Sequence, residues 1–243
     1  MHRRARHLNP GSAGAVLALD SRFITGLSDG DPVSTWSDRS GSGNDATATS
    51  ADRPTFKIGI RAGNSAVRFS GSNVMAGGLN ASTSAMTVIT AWVEDSASSQ
   101  FDGIIVGHNN SGDDFSSING FILTADDTGP TGPTRFAWGL QNTFLRPGTP
   151  TIEPWNILSA YRSGVNGNLS VNGFQIGSTA SLTSGSGTST NYVLGGRYLS
   201  GVSSSFRLHG DVGVMSWFAK ALENPLRRRL EHAAAFAFKI PCS

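Results

Sequence analysis

Short apolar segments alternate with polar turns along most of the chain. The clearest segment is MTVITAWV at residues 86–93, in which successive side chains belong to opposite faces of a strand. Both faces are largely apolar, with Ile89 on one face and Val88 and Trp92 on the other. A strand with two apolar faces is typical of the middle of a buried sheet. We therefore predict a central strand here.

One short turn signal indicates how two later segments are connected. Asn172 and Gly173 separate two alternating runs, at residues 169–171 and 174–176. A two-residue hairpin turn needs positive φ angles at both central positions, and Asn and Gly tolerate them. The sequence therefore predicts an antiparallel hairpin centred on this pair.

Near the C-terminus the pattern changes to a helical period. Apolar residues, most of them alanines, recur at helical spacing. Asn224 is a suitable N-cap and Pro225 suits the first helical position, while Pro241 ends the segment. We predict a short helix over residues 225–239. Its alanine-rich face predicts close packing against a sheet or a loop.

The chain has 243 residues, of which 30 are glycines, and it has no internal repeat and no obvious linker. All-β chains of this length often form one domain. We therefore predict one all-β domain with one short C-terminal helix. The domain covers residues 13–243, and a basic N-terminal arm precedes it at residues 1–12.

Residues 33–46, with the sequence VSTWSDRSGSGNDA, resemble the W-x-D-x-S-G-x-G-N-x-A signature near the start of laminin-G-like, concanavalin A-like jelly-roll domains. Residues 53–56 (RPTF) and 66–71 (AVRFSG) resemble the segments that follow it, with Ser70 in place of the usual Asp. The resemblance implies two antiparallel sheets packed face to face in a jelly-roll sandwich of the concanavalin A type.

The closing part of the chain extends this resemblance. Residues 210–214 (GDVGV) and the predicted helix are similar to the last strand and last helix of these domains, with Gly213 in place of a common Glu. The signature residues themselves indicate a structural role. Asp38 and Asn44 flank a glycine-rich turn and can hydrogen-bond its backbone.

Charge is unevenly distributed along the chain. The arm contains Arg3, Arg4 and Arg6 and no acidic residue, so it could dock on an acidic partner or on a neighbouring copy. A second basic run at residues 227–229 occupies consecutive helical positions, which cannot form one stripe. We therefore do not expect nucleic acid as a partner.

The N-terminal segment and the single cysteine bear on the cellular compartment in which the protein is made and folds. The N-terminal segment lacks the apolar stretch of a signal peptide, and no apolar run is long enough to span a membrane. We expect synthesis in the cytoplasm without membrane insertion. Cys242 is the one cysteine, so the fold does not depend on an internal disulfide.

The acidic residues do not form a pair suited to glycoside hydrolysis, in which two carboxylates face one sugar bond. Glu94 and Asp95 are adjacent, so on a strand they point to opposite faces. The other three glutamates lie in a loop and at the C-terminal helix. His108 and His209 alone make neither a zinc site nor a triad. We therefore expect a protein that is not an enzyme.

Ligand binding is the remaining chemistry. Sugars stack on exposed aromatic rings and bond to Asn and Asp side chains. The candidate ligand-binding residues are Asn109, Asn110, Trp138 and Tyr198. The oxygen-rich loops also suit calcium, which takes about six to eight oxygen ligands. The candidate calcium ligands are Asp113, Asp114 and Asp126. The fold requires no cofactor.

Two classes of function follow. The favoured one is a non-enzymatic structural or attachment module on a particle surface, such as a phage decoration or tail-associated protein, with other virion or surface proteins as partners. The alternative is an extracellular carbohydrate-binding or adhesion domain with a glycan as partner. A glycan-active enzyme is a minor third option. We expect a homo-oligomer, as is common for symmetric surface proteins.

Overall fold

A computed structural model of the protein describes residues 10–94, 102–109, 120–126, 135–140, 143–145, 155–182, 187–199, 201–202 and 205–242. The strands are, in chain order, β1 (Leu17–Asp20), β2 (Thr35–Trp36), β3 (Ala46–Thr47), β4 (Thr55–Arg61), β5 (Asn64–Ser70), β6 (Met75–Ser82), β7 (Ala85–Glu94), β8 (Gly103–His108), β9 (Phe121–Asp126), β10 (Arg135–Leu140), β11 (Thr143–Leu145), β12 (Asn156–Ser163), β13 (Asn166–Val171), β14 (Phe174–Ser181), β15 (Thr188–Leu194) and β16 (His209–Phe218). The helix α1 is Asn224–Phe238.

The strands form two antiparallel sheets. The first has the order β14-β13-β12-β7-β16-β5-β4, with β1 also paired to β16. The second has the order β11-β10-β9-β8-β15-β6-β3-β2. Large apolar side chains from both sheets meet in one buried cluster, which includes Trp36, Trp92, Trp138 and Trp217. The predicted all-β sandwich with a C-terminal helix is confirmed.

The strand β7 lies in the middle of the first sheet, between β12 and β16, as predicted. Its Val88 and Trp92 side chains belong to the core between the sheets. On its other face Ile89 and Ala91 belong to a second apolar cluster, together with Phe238 of the helix. The central strand is therefore buried on both faces because the helix covers the outer side of its sheet.

The helix begins and ends one residue before the predicted limits. Asn224 is already helical, and Glu223 takes the N-cap position. At the other end Lys239 adopts a left-handed conformation, with φ of 47°, and its N–H bonds to the carbonyls of Ala235 and Phe236. This left-handed cap ends the helix before Pro241 does.

The strand β16 changes partners at Gly213. Residues on its N-terminal side pair with β5, and residues on its C-terminal side pair with β1. A register irregularity with β7 falls between Val212 and Val214. A Cβ atom on Gly213 would lie 2.3 Å from Cζ of Phe238, so the absence of a side chain lets this ring pack on the sheet. This packing accounts for the glycine at position 213.

The predicted hairpin is also confirmed. Asn172 and Gly173 have φ angles of 50° and 84°, and they join β13 to β14. Residues 206–208 (FRL), whose apolar ends would also suit a short strand, do not form one. Phe206 has a positive φ of 59°, and Arg207 makes only an isolated parallel bridge to Gly103. Among the described residues, no strand continues a ladder through this segment.

A Gly213→Ala substitution tests the packing of Phe238 against β16. We expect a loss of about 1–3 kcal/mol in the free energy of unfolding, because the new methyl group displaces a buried ring. Urea denaturation measures the loss. Gly78→Ala is the matched control, since the nearest atom to its added Cβ lies 3.8 Å away. Equal stability of the two variants would contradict the proposed contact.

Candidate functional site

The signature loop at residues 37–45 is organised by one carboxylate. Asp38 Oδ1 accepts hydrogen bonds from the N–H groups of Ala18 at 2.8 Å and Ser40 at 2.9 Å. Its Oδ2 accepts from the Ser40 hydroxyl at 2.6 Å and from the Asn44 N–H at 3.0 Å. The N–H of Arg39 donates in turn to the Ala18 carbonyl at 2.8 Å. The loop therefore covers the free edge of β1.

Asn44 links this loop to both sheets. Its side-chain amide donates to the Val16 carbonyl at 2.7 Å, next to β1. The main-chain carbonyl of Asn44 accepts a hydrogen bond from the Tyr192 hydroxyl of β15 at 2.8 Å. Tyr192 is fully buried, and burial, followed by the charges of Asp38 and Asp45, raises the pKa of its phenol. The hydroxyl therefore remains a donor throughout the physiological range.

A short 3-10 turn, Ser21–Phe23, follows β1 and faces the signature loop. The Ser21 hydroxyl donates to the Ser65 carbonyl at 2.6 Å, and the Ser65 hydroxyl donates to the Ser21 carbonyl at 2.9 Å. Arg22 folds back onto Asp20, with Nε 2.8 Å from Oδ1 and one terminal nitrogen 2.5 Å from Oδ2. These bonds hold the turn on the sheet.

Phe23 is presented to solvent by this turn, with 50% of its surface exposed. The Arg39 guanidinium lies over its ring, 3.8 Å from the centroid. A guanidinium over an aromatic face is attracted by the ring electrons. The pair thus forms a flat, partly exposed surface, and Arg39 has no carboxylate partner among the described residues.

The Phe23–Arg39 pair borders a cleft of about 250 Å³. The cleft lies between the 3-10 turn and β2, and we call it the Phe23 cleft. Its lining residues are Asp20, Phe23, Ile24, Thr25, Leu27, Ser34, Thr35, Trp36, Ser37 and Arg39. Hydroxyls, one carboxylate and one guanidinium surround an aromatic ring, which is the combination that orients a polyhydroxylated ligand. Sites for larger ligands span about 300–1,000 Å³, so this cleft suits one sugar ring.

The sequence pattern does not point to Phe23 as a candidate. It lies between the apolar run of β1 and the turn cluster at residues 29–32, outside any alternating segment. An aromatic residue outside any strand pattern has no neighbouring strand residue to pack on. This position was the one sequence feature that could have indicated an exposed ring.

The predicted ligand-binding residues are only partly brought together. Trp138 is fully buried in the core, and its six-membered ring lies against Gly167 of the opposite sheet, so its placement as a stacking platform is corrected. Tyr198 stacks on His108 with ring centroids 3.7 Å apart. Because Asn109 follows His108 in the chain, Asn109 and Tyr198 lie in the same region of the fold. Asn110 lies outside the described residues.

His108 is the last residue of β8 and is buried beneath Tyr198. Burial lowers the pKa of its imidazole from the ordinary 6.5 to about 4. The neutral ring is therefore the form that stacks on Tyr198 at physiological pH. The face formed by Val106, Ile122 and Val193 beside it is also buried.

The predicted calcium ligands and the basic arm lie mostly outside the described residues. Asp113 and Asp114 lie outside the described residues, as do Arg3, Arg4 and Arg6 of the arm. Asp126 ends β9, where its backbone lies opposite that of Arg135 in β10. In the part of the chain that the structure describes, no three His, Cys, Asp or Glu residues group as metal ligands. Calcium binding stays a prediction. No helix among the described residues is long and apolar enough to cross a membrane.

No protein-family model and no curated protein matches the chain. Several solved structures, in contrast, are similar to the chain. Domain 4 of AbnA, a GH43 extracellular arabinanase from Geobacillus stearothermophilus, in complex with arabinotriose, is similar at 13% identity and a TM-score of 0.58, over 91% of this chain and 98% of that chain. An arabinofuranosidase complexed with arabinofuranosyl-α-1,2-xylobiose is similar at 12% identity and a TM-score of 0.68, over 95% of this chain and 65% of that one.

Trypanosoma rangeli sialidase in complex with sialic acid is similar at 14% identity and a TM-score of 0.58. The match covers 90% of this chain and 33% of the sialidase, so the chain spans about a third of that enzyme's length. At such identities the similarity shows a β-sandwich fold and no more. The finer assignment to laminin-G-like, concanavalin A-like domains stays a prediction.

These comparisons correct the expectation that the protein is not an enzyme. That expectation rested on the lack of a suitable carboxylate pair or triad in the sequence, whereas similar sandwiches occur in an arabinanase, an arabinofuranosidase and a sialidase. The prediction is therefore wrong as it stood. The fold is shared with proteins that process glycans, and it assigns no reaction to this chain.

An Asp38→Asn substitution tests the signature loop. The amide nitrogen cannot accept the hydrogen bonds that one carboxylate oxygen now receives, so we expect a loss of about 2–3 kcal/mol in the free energy of unfolding. Asp31→Asn is the control, because the Asp31 side chain accepts a single exposed bond from the Ser28 N–H. Thermal and urea denaturation compare the two. A loss at Asp38 no larger than at Asp31 would refute this role.

A His108→Gln substitution tests the buried imidazole. The unfolded chain binds a proton on this residue near pH 6.5, but the folded chain does so only near pH 4, so stability present above pH 6.5 declines as the pH falls toward 4. We expect the melting temperature of the variant to decline less steeply over this range. His232→Gln, on the exposed side of α1, should keep the wild-type slope. Identical slopes for all three proteins would rule out a contribution from His108.

Proposed function

We propose that the protein is a carbohydrate-binding β-sandwich domain and that the Phe23 cleft holds one sugar ring. The observation that carries the proposal is the half-exposed ring of Phe23, set beside a cleft lined by hydroxyl, carboxylate and guanidinium groups. A sugar presents an apolar face to an aromatic ring and hydroxyls to the polar groups around it.

The geometry supports a preformed site. The Ser21–Ser65 bonds hold the 3-10 turn, and the Asp38 bonds hold the loop that carries Arg39. Neither wall needs to rearrange before a ligand enters, so little ordering entropy opposes binding.

The chemistry of the cleft favours binding as the proposal. Asp20 is the one carboxylate among the described lining residues, and both of its oxygens are bonded to Arg22. Asp20 can accept sugar hydroxyls through its remaining lone pairs while staying in place.

The comparisons support the glycan partner better than the favoured sequence-based alternative. A domain of nearly the same extent is described in complex with arabinotriose, and a sialidase in complex with sialic acid. Nothing in the comparisons supports a phage decoration or tail-associated protein, and the predicted homo-oligomer is likewise without support. The predicted alternative, carbohydrate binding, is therefore the function we propose.

The direct test is isothermal titration with arabinotriose, sialyllactose and a panel of neutral oligosaccharides. We expect saturable binding to at least one of them, and at least about a tenfold loss of affinity in Phe23→Ala, because the stacking surface is removed.

Phe236→Ala provides the matched control, since Phe236 is an exposed phenylalanine on α1 that does not line the cleft. It should bind like the wild type. A panel without any saturable ligand would overturn the proposed function, and equal affinity of Phe23→Ala and wild type would move the site elsewhere.

A further inference from the structure

A second cavity lies on the other side of Phe23, between the helix and the outer face of the first sheet. Its volume is about 130 Å³. Its wall is mainly apolar and comes from four elements, through Ala18, Ile89, Val214, Leu230, Ala233 and Ala234, with the buried Ser216 of β16 as a polar lining residue. We call it the helix cavity. The predicted close packing of the alanine-rich helix face is therefore incomplete, because small residues on both sides leave a gap.

The size of the helix cavity indicates what fits. An engineered apolar cavity of about 150 Å³ stays dry and binds benzene. The helix cavity is slightly smaller and opens to the surface beside the exposed Phe23 and Arg39, which also line it. One six-membered carbon ring, or a short aliphatic chain of similar volume, would fill it and restore the missing packing contacts.

The charged residues beside the opening indicate which polar group the ligand carries. Arg22 and Arg39 both line the cavity, together with Asp20. The two Asp20–Arg22 hydrogen bonds neutralise Arg22. Arg39 lies flat on Phe23 and has no carboxylate partner among the described residues. Stacking leaves the N–H groups at the guanidinium edge free to donate, and a carboxylate matches that edge.

We propose that the helix cavity binds a small apolar carboxylate, with its ring or chain against Ala18, Val214 and Ala233 and its carboxylate on Arg39. This site is separate from the Phe23 cleft and takes a different class of ligand, so it does not depend on glycan binding. The two sites share Phe23 and Arg39 as a common wall.

Titration of the full chain with benzoate, followed by NMR, tests the site. We expect saturation with a Kd of about 1 mM, as for a ligand with few atoms. Ala233→Leu fills the cavity and should lower benzoate affinity at least about tenfold while keeping or raising the melting temperature. Ala234→Leu serves if the first variant does not fold. Neither variant changes the Phe23 cleft, so an arabinotriose titration reports on the proposed function separately.

The charge is tested with Arg39→Gln and with benzyl alcohol as the neutral probe. Benzoate affinity should fall about tenfold in the variant, and that of benzyl alcohol less than about twofold. Arg229→Gln, an exposed arginine on α1, should leave both unchanged. The proposal is overturned by the absence of benzoate saturation, by unchanged benzoate binding in the filled variant, or by equal losses for the two probes in Arg39→Gln.

Discussion

The Asp38 carboxylate is the constraint on which the candidate site depends. It accepts four hydrogen bonds, one from the edge strand β1 and three from its own loop. Bonds to a charged acceptor are stronger than those between neutral groups, and here they fix a loop that has few apolar contacts of its own. The loop in turn places the Arg39 guanidinium over the Phe23 ring. The Phe23 cleft exists because this loop and the 3-10 turn stand apart at a fixed distance.

The helix creates the second constraint. It buries the outer face of the first sheet, so the protein has one apolar core between its sheets and another beneath α1. Gly213 lets Phe238 pack directly on β16, and this contact anchors the C-terminal end of the helix. Nearer the middle, alanines meet Ala18 and Val214 and leave the helix cavity open. One end of the same interface is therefore tightly packed, and the middle is not.

Local signals in the sequence were reliable where one physical cause dominated. The two apolar faces at β7, the Asn172–Gly173 turn and the helical period near the C-terminus each predicted the observed element. The strand β6 was missed because Gly77 and Gly78 interrupt its apolar pattern. The structure explains Gly77, since a Cβ there would lie 2.4 Å from the Asp45 carbonyl oxygen and 2.6 Å from the Tyr192 ring. The signature loop thus approaches β6 so closely that only glycine fits at position 77. A glycine contributes nothing to the apolar alternation by which a strand is recognised.

The sequence by itself determined the fold class, the central strand, the hairpin, the helix and the structural role of the signature loop, because these follow from periodicity and turn chemistry within short segments. Only the tertiary structure decided which aromatic residues face solvent. Trp138 is buried between the sheets and Phe23 is exposed, yet both are large apolar residues in the sequence. Exposure depends on what packs against a residue from distant parts of the chain. The Phe23 cleft arises in the same way, since the walls formed by residues 20–27 and 34–39 meet only in the folded sandwich.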